Sequence, residues 1–170
     1  MSPIAPDAEV RRDNPLGKVP CLVTGDGTVL YDSRVVCEYL DGLHDGPRMF
    51  PAAGPARWIA LRRQAEADGI LDAAVGTRYE TFLRPAERRW PDWIAGQKAK
   101  IKNALDALEA EAPGFGATVD IGTIAIACAL GYLDFRYAAD DWRAGRPRLV
   151  AWYDAFARRP SLAETAPRDS

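Results

Sequence analysis

The sequence has one histidine and three cysteines among its 170 residues, which restricts the metal and redox sites it can form. The single imidazole, His44, excludes a metal site built on several histidines. The cysteines Cys21, Cys37 and Cys128 are far apart and have no CxxC spacing, so they predict neither a disulfide framework nor a zinc site. We expect all three to be small buried residues. These features favour a metal-free protein of the cytoplasm.

Charge imbalance and long apolar runs are also lacking. The chain carries 22 Lys and Arg against 24 Asp and Glu, a formal net charge of -2. This balance does not predict a basic surface that binds nucleic acid. The N-terminus has no apolar segment of the kind found in secretory signals. The longest uncharged apolar stretch, Ile121 to Leu133, is well short of the roughly 20 residues that span a bilayer. We therefore expect neither nucleic acid nor a membrane as partner.

The character of the chain changes at the Pro- and Gly-rich segment from Gly46 to Pro55. Short apolar runs with turn residues precede this segment, and helical periodicity follows it to the end of the chain. We therefore predict an α/β domain at residues 1–46, a linker at 47–56 and an all-helical domain at 57–170.

The first domain predicts a β-hairpin followed by a helix. Val19–Val23 and Thr28–Tyr31 are rich in β-forming residues, and the turn signal Gly25-Asp26-Gly27 lies between them. Ser33 is a good N-cap for the helix, which we expect to end near Gly42. Two strands and one helix are too few for a stable sheet, because an isolated hairpin is marginal in water.

The second domain predicts four helices from its apolar periodicity. They contain, in chain order, Trp58 to Phe82, Ile94 to Ala112, the segment from Ile121, and Leu149 to Phe156. Pro91 fits the first turn of the second of these helices, and Pro160 is expected to end the last one.

The helix that starts at Ile121 is apolar nearly all round, so we expect it to be the most buried. Asp120 and Thr123 have the spacing of a capping box at its start. Aromatic side chains of this domain are expected in the core or between helices, namely Trp58, Trp152 and Tyr153.

Two segments of the first domain carry the candidate binding chemistry, Asn14–Pro20 (NPLGKVP) and Leu30–Ser33 (LYDS). Pro20 stands inside a β-rich run where it cannot donate to a ladder, which implies an edge, a bulge or a cis bond. The backbone of Val19 is then available to pair with an extended ligand. The alternative is a proline that merely marks an edge strand.

Charged and polar groups accompany these backbone groups. Ser33 at a helix N-terminus offers a hydroxyl, backbone N–H groups and the positive end of the helix dipole to a carboxylate. Asp32 can take an ammonium group, and Lys18 a second carboxylate. A ligand with one amine, two carboxylates and an extended peptide middle fits this set, and glutathione has that composition. The alternative for Asp32 and Ser33 is a helix cap without a ligand.

The combination of NPLGKVP with the later Asp32-Ser33 resembles the glutathione-site pattern of the glutathione S-transferase family, in particular a bacterial subgroup. The resemblance runs from about residue 10 to the C-terminus. It is strongest in three further segments, which are residues 35–40 (VVCEYL), 67–73 (ADGILDA) and 124–136 (IAIACALGYLDFR).

The resemblance implies a thioredoxin-like α/β N-terminal domain and an all-α C-terminal domain. It also implies that Val19 pairs with the cysteinyl backbone of glutathione beside a cis Pro20, and that Lys18 lies near the glycyl carboxylate. By the same resemblance, Asp32 and Ser33 hold the γ-glutamyl end. The implied activity is conjugation of glutathione, as co-substrate, to an electrophilic small molecule in detoxification.

The resemblance further implies a homodimer in which Asp68 faces the glutathione amine across the interface. Asp68 lies on the apolar phase of its helix, three residues after Ala65 and three before Leu71, where a carboxylate needs a partner. The alternative partner is an arginine in an ion pair between helices, and both readings stay open.

The chain departs from the family at its start. The family places a strand–helix–strand unit before the Asn-Pro turn, and the start of that helix carries the Ser, Tyr or Cys that stabilises the thiolate. Such a unit needs about 30 residues, whereas thirteen precede Asn14. We expect residues 1–13 to form a loop, the thioredoxin-like domain to lack its first β-α-β unit, and Met1 to be an internal methionine or a truncation point.

No catalytic residue is assigned, because the catalytic hydroxyl is expected on the missing segment. Ser2 precedes Pro3, as at the family's catalytic helix, but no segment of helix length is expected after it. Three readings follow, which are an impaired glutathione S-transferase, a non-catalytic binding module of the same fold, and an inactive fragment.

Overall fold

The computed structural model describes residues 8–168, and Ser2 lies outside them. The chain divides into two compact units, Met1–Phe50 and Pro51–Ser170. The division falls within the predicted linker at 47–56, although helix begins at Gly54. No helix within the described range combines the length and apolar character needed to cross a membrane.

The first unit begins, in its described part, with helix α1 (Ala8–Asp13). The expectation of a loop was wrong for these residues, because the backbone N–H of Asn14 donates to the Val10 carbonyl at 2.7 Å and completes a helical turn. Within residues 8–168, α1 is the only regular element before Asn14, so the described part contains no β-α-β unit there.

The predicted hairpin is confirmed, with strands β1 (Leu22–Val23) and β2 (Val29–Leu30). The strands are antiparallel, with Leu22 opposite Leu30 and Val23 opposite Val29. The turn is closed by the Thr24 N–H, which donates to the Thr28 carbonyl at 2.9 Å. The ladder is shorter than the β-rich runs suggested, because the described sheet has only these two strands.

Helix α2 (Ser33–Gly42) has the predicted bounds but a different N-cap. Asp32 is the capping residue, since its backbone is extended and its carboxylate accepts a hydrogen bond from the Arg34 N–H at 3.1 Å. Ser33 is the first helical residue, so its assignment as N-cap was wrong. The correction leaves the Ser33 hydroxyl outside the cap.

All regular elements in the described part of the second unit are helical. Its helices are α3 (Gly54–Phe82), α4 (Pro91–Glu111), α5 (Ile121–Arg136), α6 (Pro147–Phe156) and α7 (Pro160–Ala163). Pro91 stands in the first turn of α4, as predicted. Pro160 was expected only to end a helix, but it also begins the short α7, because proline suits a first helical turn.

Helix α5 lies at the centre of this unit and packs against α3. Its capping box is confirmed: the Thr123 N–H donates to the Asp120 carboxylate at 2.9 Å, and the Asp120 N–H donates to the Thr123 hydroxyl oxygen at 3.0 Å. The core around the helix includes Ala67, Ile70, Leu108, Phe115, Ile126, Leu130, Leu133 and Leu149.

Three expectations about burial had different outcomes. Cys128 is exposed on α5, because the buried face of the helix is carried by other positions, such as Ala127 and Ala129. Trp58 is 68% exposed near the start of α3, so its expected place in the core was wrong. Trp152 and Tyr153 pack against the core, as predicted.

Candidate functional site

The turn before Lys18 is built on the side chain of Asn14, which is 1% exposed. Its Nδ2 group donates to the Lys18 carbonyl at 2.7 Å, and its Oδ1 atom accepts from the Leu16 N–H at 3.0 Å. The Gly17 N–H donates to the Asn14 carbonyl at 2.8 Å, and Gly17 has a φ of 62°, which favours glycine. Asn14 therefore fixes the path of the chain into Val19 and Pro20.

Lys18, Val19 and Pro20 are all exposed, and the Val19–Pro20 bond is cis, as predicted. Val19 is 63% exposed, and within residues 8–168 its backbone N–H and carbonyl have no hydrogen-bond partner. The Lys18 ammonium has no ion-pair partner in the same range. This stretch thus offers one cation and one pair of backbone groups to a ligand.

Asp32 and Ser33 are exposed at the start of α2. The Tyr31–Asp32 bond is also cis. The Asp32 carboxylate accepts the Arg34 N–H and keeps further acceptor capacity towards solvent. In the described part of the chain the Ser33 hydroxyl has no hydrogen-bond partner, and the first-turn N–H groups of a helix have no intrahelical acceptor. An anion can therefore bind there.

The hairpin brings the two segments to the same end. Pro20 lies two residues before β1, and Asp32 lies two residues after β2. Because the strands are antiparallel, both positions are at the open end of the hairpin. The structure thus brings together five predicted residues, which are Lys18, Val19, Pro20, Asp32 and Ser33.

Asp68, the sixth predicted residue, belongs to the second unit. It lies half-buried on α3, and its role in the site stays a prediction.

Sequence reasoning missed Asp41, a buried carboxylate near the end of α2. It accepts hydrogen bonds from the backbone N–H groups of Met49 at 2.7 Å and Phe50 at 3.1 Å. Burial acts to raise the pKa of Asp41, but these bonds and the nearby Arg48 outweigh it and lower the pKa. Asp41 ties the segment after α2 to the helix. The periodicity of α2 carries no sign of this contact, because both partners lie outside the helix.

The site contains no arrangement for metal chemistry among the residues described. Across positions 8–168 no group of three or more His, Cys, Asp and Glu side chains is placed to hold a metal ion. The chemistry available is recognition of a small molecule that carries carboxylates, an ammonium group and an extended peptide.

Two family models match the chain. The one described as the glutathione S-transferase N-terminal domain matches residues 1–43, within the first unit. The one described as the glutathione S-transferase C-terminal domain matches residues 91–155, within the second unit.

Individual relatives cover nearly the whole chain. It is 40% identical over 169 residues to the uncharacterized GST-like protein YibF of Escherichia coli (strain K12), which covers 97% of this chain and 83% of that protein. The crystal structure of a glutathione transferase family member from Pseudomonas fluorescens Pf-5 with bound glutathione is 49% identical, with a TM-score of 0.97, and covers 99% of this chain and 83% of that one. A structure from the same strain with bound S-(propanoic acid)-glutathione is also 49% identical, with a TM-score of 0.88, and covers 92% and 80%.

Proposed function

Because the chain belongs to the glutathione S-transferase family and has its fold, we propose that the first unit binds glutathione at the open end of its hairpin. The Val19 backbone pairs with the cysteinyl residue beside Pro20. The Lys18 ammonium attracts the glycyl carboxylate, while Asp32 takes the γ-glutamyl ammonium and Ser33 hydrogen-bonds the γ-glutamyl carboxylate.

One observation carries this proposal. The Val19 backbone groups lack partners within residues 8–168, and they lie at the same end of the hairpin as the N-terminus of α2. An extended peptide that adds to Val19 therefore has its charged end within the reach of a helix N-terminus. The glutathione bound to the Pseudomonas relative supports the choice of ligand.

The test is a calorimetric titration of glutathione into the wild-type chain and Ser33→Ala. We expect a loss of about 1.5–3 kcal/mol in binding free energy, the range for a hydrogen bond to a charged group. Because Asp32 is the cap, Ser33→Ala should leave α2 largely intact. Ser161→Ala is the matched control, since Ser161 is exposed in the second unit. Equal affinities for both folded variants would remove Ser33 from the site.

The proposed reaction is attack by the glutathione thiolate on an electrophilic small molecule. The protein assists by lowering the pKa of the thiol through hydrogen bonds to the charged form. The S-(propanoic acid)-glutathione bound to a relative carries its substituent on the sulfur, which supports this chemistry. We place the reaction in the cytoplasm and in detoxification.

We further propose a homodimer, in which Asp68 of each chain faces the glutathione amine bound by the partner subunit. The half-buried position of Asp68 on α3 supports this role, because a carboxylate removed from water is stabilised by an ammonium group. The alternative, an ion pair with an arginine of another helix, is retained.

No residue between 8 and 168 is assigned to thiol activation. In this family the hydroxyl that stabilises the thiolate is expected on a helix before the Asn-Pro turn. We therefore propose that the 170 residues, assayed by themselves, bind glutathione but conjugate it slowly. Binding without conjugation is the alternative function that this proposal leaves to experiment.

A further inference from the structure

The second unit contains a cleft of about 510 Å³ that the glutathione site does not use. It lies between α4, the end of α5 and the segment that leads into α6, and every residue that lines it belongs to the second unit. Its volume is within the range of about 300–1,000 Å³ that is typical of small-molecule sites. The cleft is therefore large enough for a molecule of two or three rings.

The floor of the cleft is apolar and held in place by the core. Leu105 and Leu133 are each 2% exposed, and Trp142 is 5% exposed. The indole N–H of Trp142 donates to the Asp134 carboxylate at 2.6 Å, and its ring meets the ring of Tyr153 edge-on at 5.7 Å. These contacts fix the Trp142 ring, so the floor of the cleft is already formed before a ligand binds.

The three cations at the rim are each paired with a carboxylate. The Lys98 ammonium lies 2.8 Å from the Asp140 carboxylate. Asp106, just outside the cleft, accepts from the Arg146 guanidinium at 2.6 Å and from the Lys102 ammonium at 2.7 Å. An anionic ligand would have to break one of these pairs to gain a cationic partner.

The rim is also balanced as a whole. Three cations face three anions, and these six residues are Lys98, Lys102, Arg146, Asp106, Asp140 and Asp141. The cleft therefore attracts neither sign of charge strongly, while its floor favours apolar surface. Tyr137 and Trp142 add aromatic rings to the lining.

We propose that this cleft is a second ligand site, which binds an uncharged aromatic small molecule. The ligand rests on Leu105, Leu133 and Trp142 and leaves the rim ion pairs in place. The cleft shares no residue with the proposed glutathione site, because its lining residues all belong to the other unit.

The test uses N-phenylnaphthylamine, an uncharged probe whose fluorescence rises in apolar surroundings. Ala99 and Ala144 line the cleft and are exposed, so phenylalanine at either position fills the cleft without entering the core. Ala107 is exposed on the same helix α4 outside the cleft and is the matched control. We expect saturable binding that weakens at least about tenfold in Ala99→Phe and Ala144→Phe and stays within about twofold in Ala107→Phe.

Each possible outcome of this experiment either supports the proposed site or overturns it. Absent saturable binding, or equal affinity in all three variants, would overturn it. Binding of the sulfonated probe anilinonaphthalene sulfonate in the same cleft more than about tenfold tighter would show an anion site instead. Glutathione affinity should be unchanged in all three variants, so a failure here is distinguishable from a failure of the proposed function. Circular dichroism verifies that each variant is folded.

Discussion

At the scale of single residues, Asn14 determines the shape of the segment that presents Val19. Its side-chain amide makes two hydrogen bonds: it accepts from the Leu16 N–H and donates to the Lys18 carbonyl. In Asn14→Asp the acceptor is kept, but a carboxylate oxygen replaces the donor 2.7 Å from the Lys18 carbonyl oxygen and repels it. We expect glutathione binding to weaken by about 1–3 kcal/mol, the cost of one unsatisfied buried group, measured by calorimetric titration.

Asn103→Asp is the control, because Asn103 is exposed on α4 in the second unit. If Asn14→Asp and Asn103→Asp bound glutathione equally well, the turn would not depend on the amide donor. Hydrogen exchange at the backbone of residues 14–18 gives a second readout that should change in Asn14→Asp alone.

The start of α2 shows where sequence reasoning succeeds and fails for a single residue. Asp32 and Ser33 are adjacent and both suit an N-cap, so composition cannot choose between them. The choice depends on which residue has the extended backbone, and this is Asp32. The cis Val19–Pro20 bond was predictable because a proline in a strand allows few arrangements. Asn14 belongs to the NPLGKVP motif, but its hydrogen bonds depend on the conformation of the turn, which the motif does not specify.

At the scale of elements, α5 packs closely against α3 at Gly122. A Cβ atom there would lie 2.6 Å from the Ala60 carbonyl oxygen and 2.7 Å from the Arg63 Cβ. The first of these is a backbone atom and cannot move aside cheaply. We expect Gly122→Ala to lower the free energy of unfolding by about 1–3 kcal/mol through overpacking, measured by urea denaturation.

Gly69→Ala is the matched control for this packing effect. Gly69 is exposed on α3, and an added Cβ would meet no atom within 4 Å. Alanine in an open helical position stabilises by about 0.4–1 kcal/mol. Destabilisation by Gly69→Ala, or neutral behaviour of Gly122→Ala, would contradict the role of close helix packing.

Helix α6 is capped by a residue from another helix. The N-cap of α6 makes no side-chain cap bond. Glu109 on α4 supplies the acceptor, since its carboxylate accepts from the Leu149 N–H at 2.7 Å and from the Arg148 guanidinium at 2.8 Å. Burial acts to raise the pKa of Glu109, but these hydrogen bonds outweigh burial and lower the pKa.

A lowered pKa makes the contribution of Glu109 depend on pH. The stabilisation is fully present above the unfolded pKa of about 4.3 and is lost as pH falls through the lower folded value. We expect Glu109→Gln to reduce the free energy of unfolding by about 1–3 kcal/mol at neutral pH. This gap, the difference in unfolding free energy between variant and wild type, should narrow as the pH falls below about 4.3. Urea denaturation across the acid range measures it, with exposed Glu164→Gln as control. A gap independent of pH would exclude the charge of Glu109 as its source.

The helices themselves were predictable, because their apolar periodicity and their start signals are local. Pro91 and the Asp120–Thr123 box are examples, since each acts within one turn of its helix. Glu109 was not predictable, because its partners lie about 40 residues further along the chain. Trp58 was misjudged because the apolar phase of the long helix α3 continues into its exposed first turns.

At the scale of the whole molecule, the first unit exposes much apolar surface. Its large exposed apolar side chains are Leu16, Val19, Val23, Val29, Tyr31, Val35, Tyr39, Leu40 and Leu43. Such a surface, with a two-stranded sheet beside it, favours association with other chains. We expect the 170-residue chain, prepared by itself, to associate in light scattering and to conjugate little glutathione to a standard electrophile.

The comparison is an engineered chain in which a strand–helix–strand unit is fused before Met1, with a thiol-activating hydroxyl present or replaced. We expect the thiol of glutathione bound to the 170 residues to stay mostly protonated at neutral pH. Equal turnover from a monodisperse 170-residue chain would contradict this expectation. It would require a thiol-activating group within these residues.

The division into two units has a consequence for spectroscopy. All five tryptophans, at positions 58, 90, 93, 142 and 152, belong to the second unit. Indole emission therefore reports on the helical unit and does not detect unfolding that is confined to the first unit. A melting curve followed by indole emission alone would look cooperative even if the proposed glutathione site had already lost its structure. The first unit therefore needs a probe of its own, such as a tryptophan in place of Tyr39.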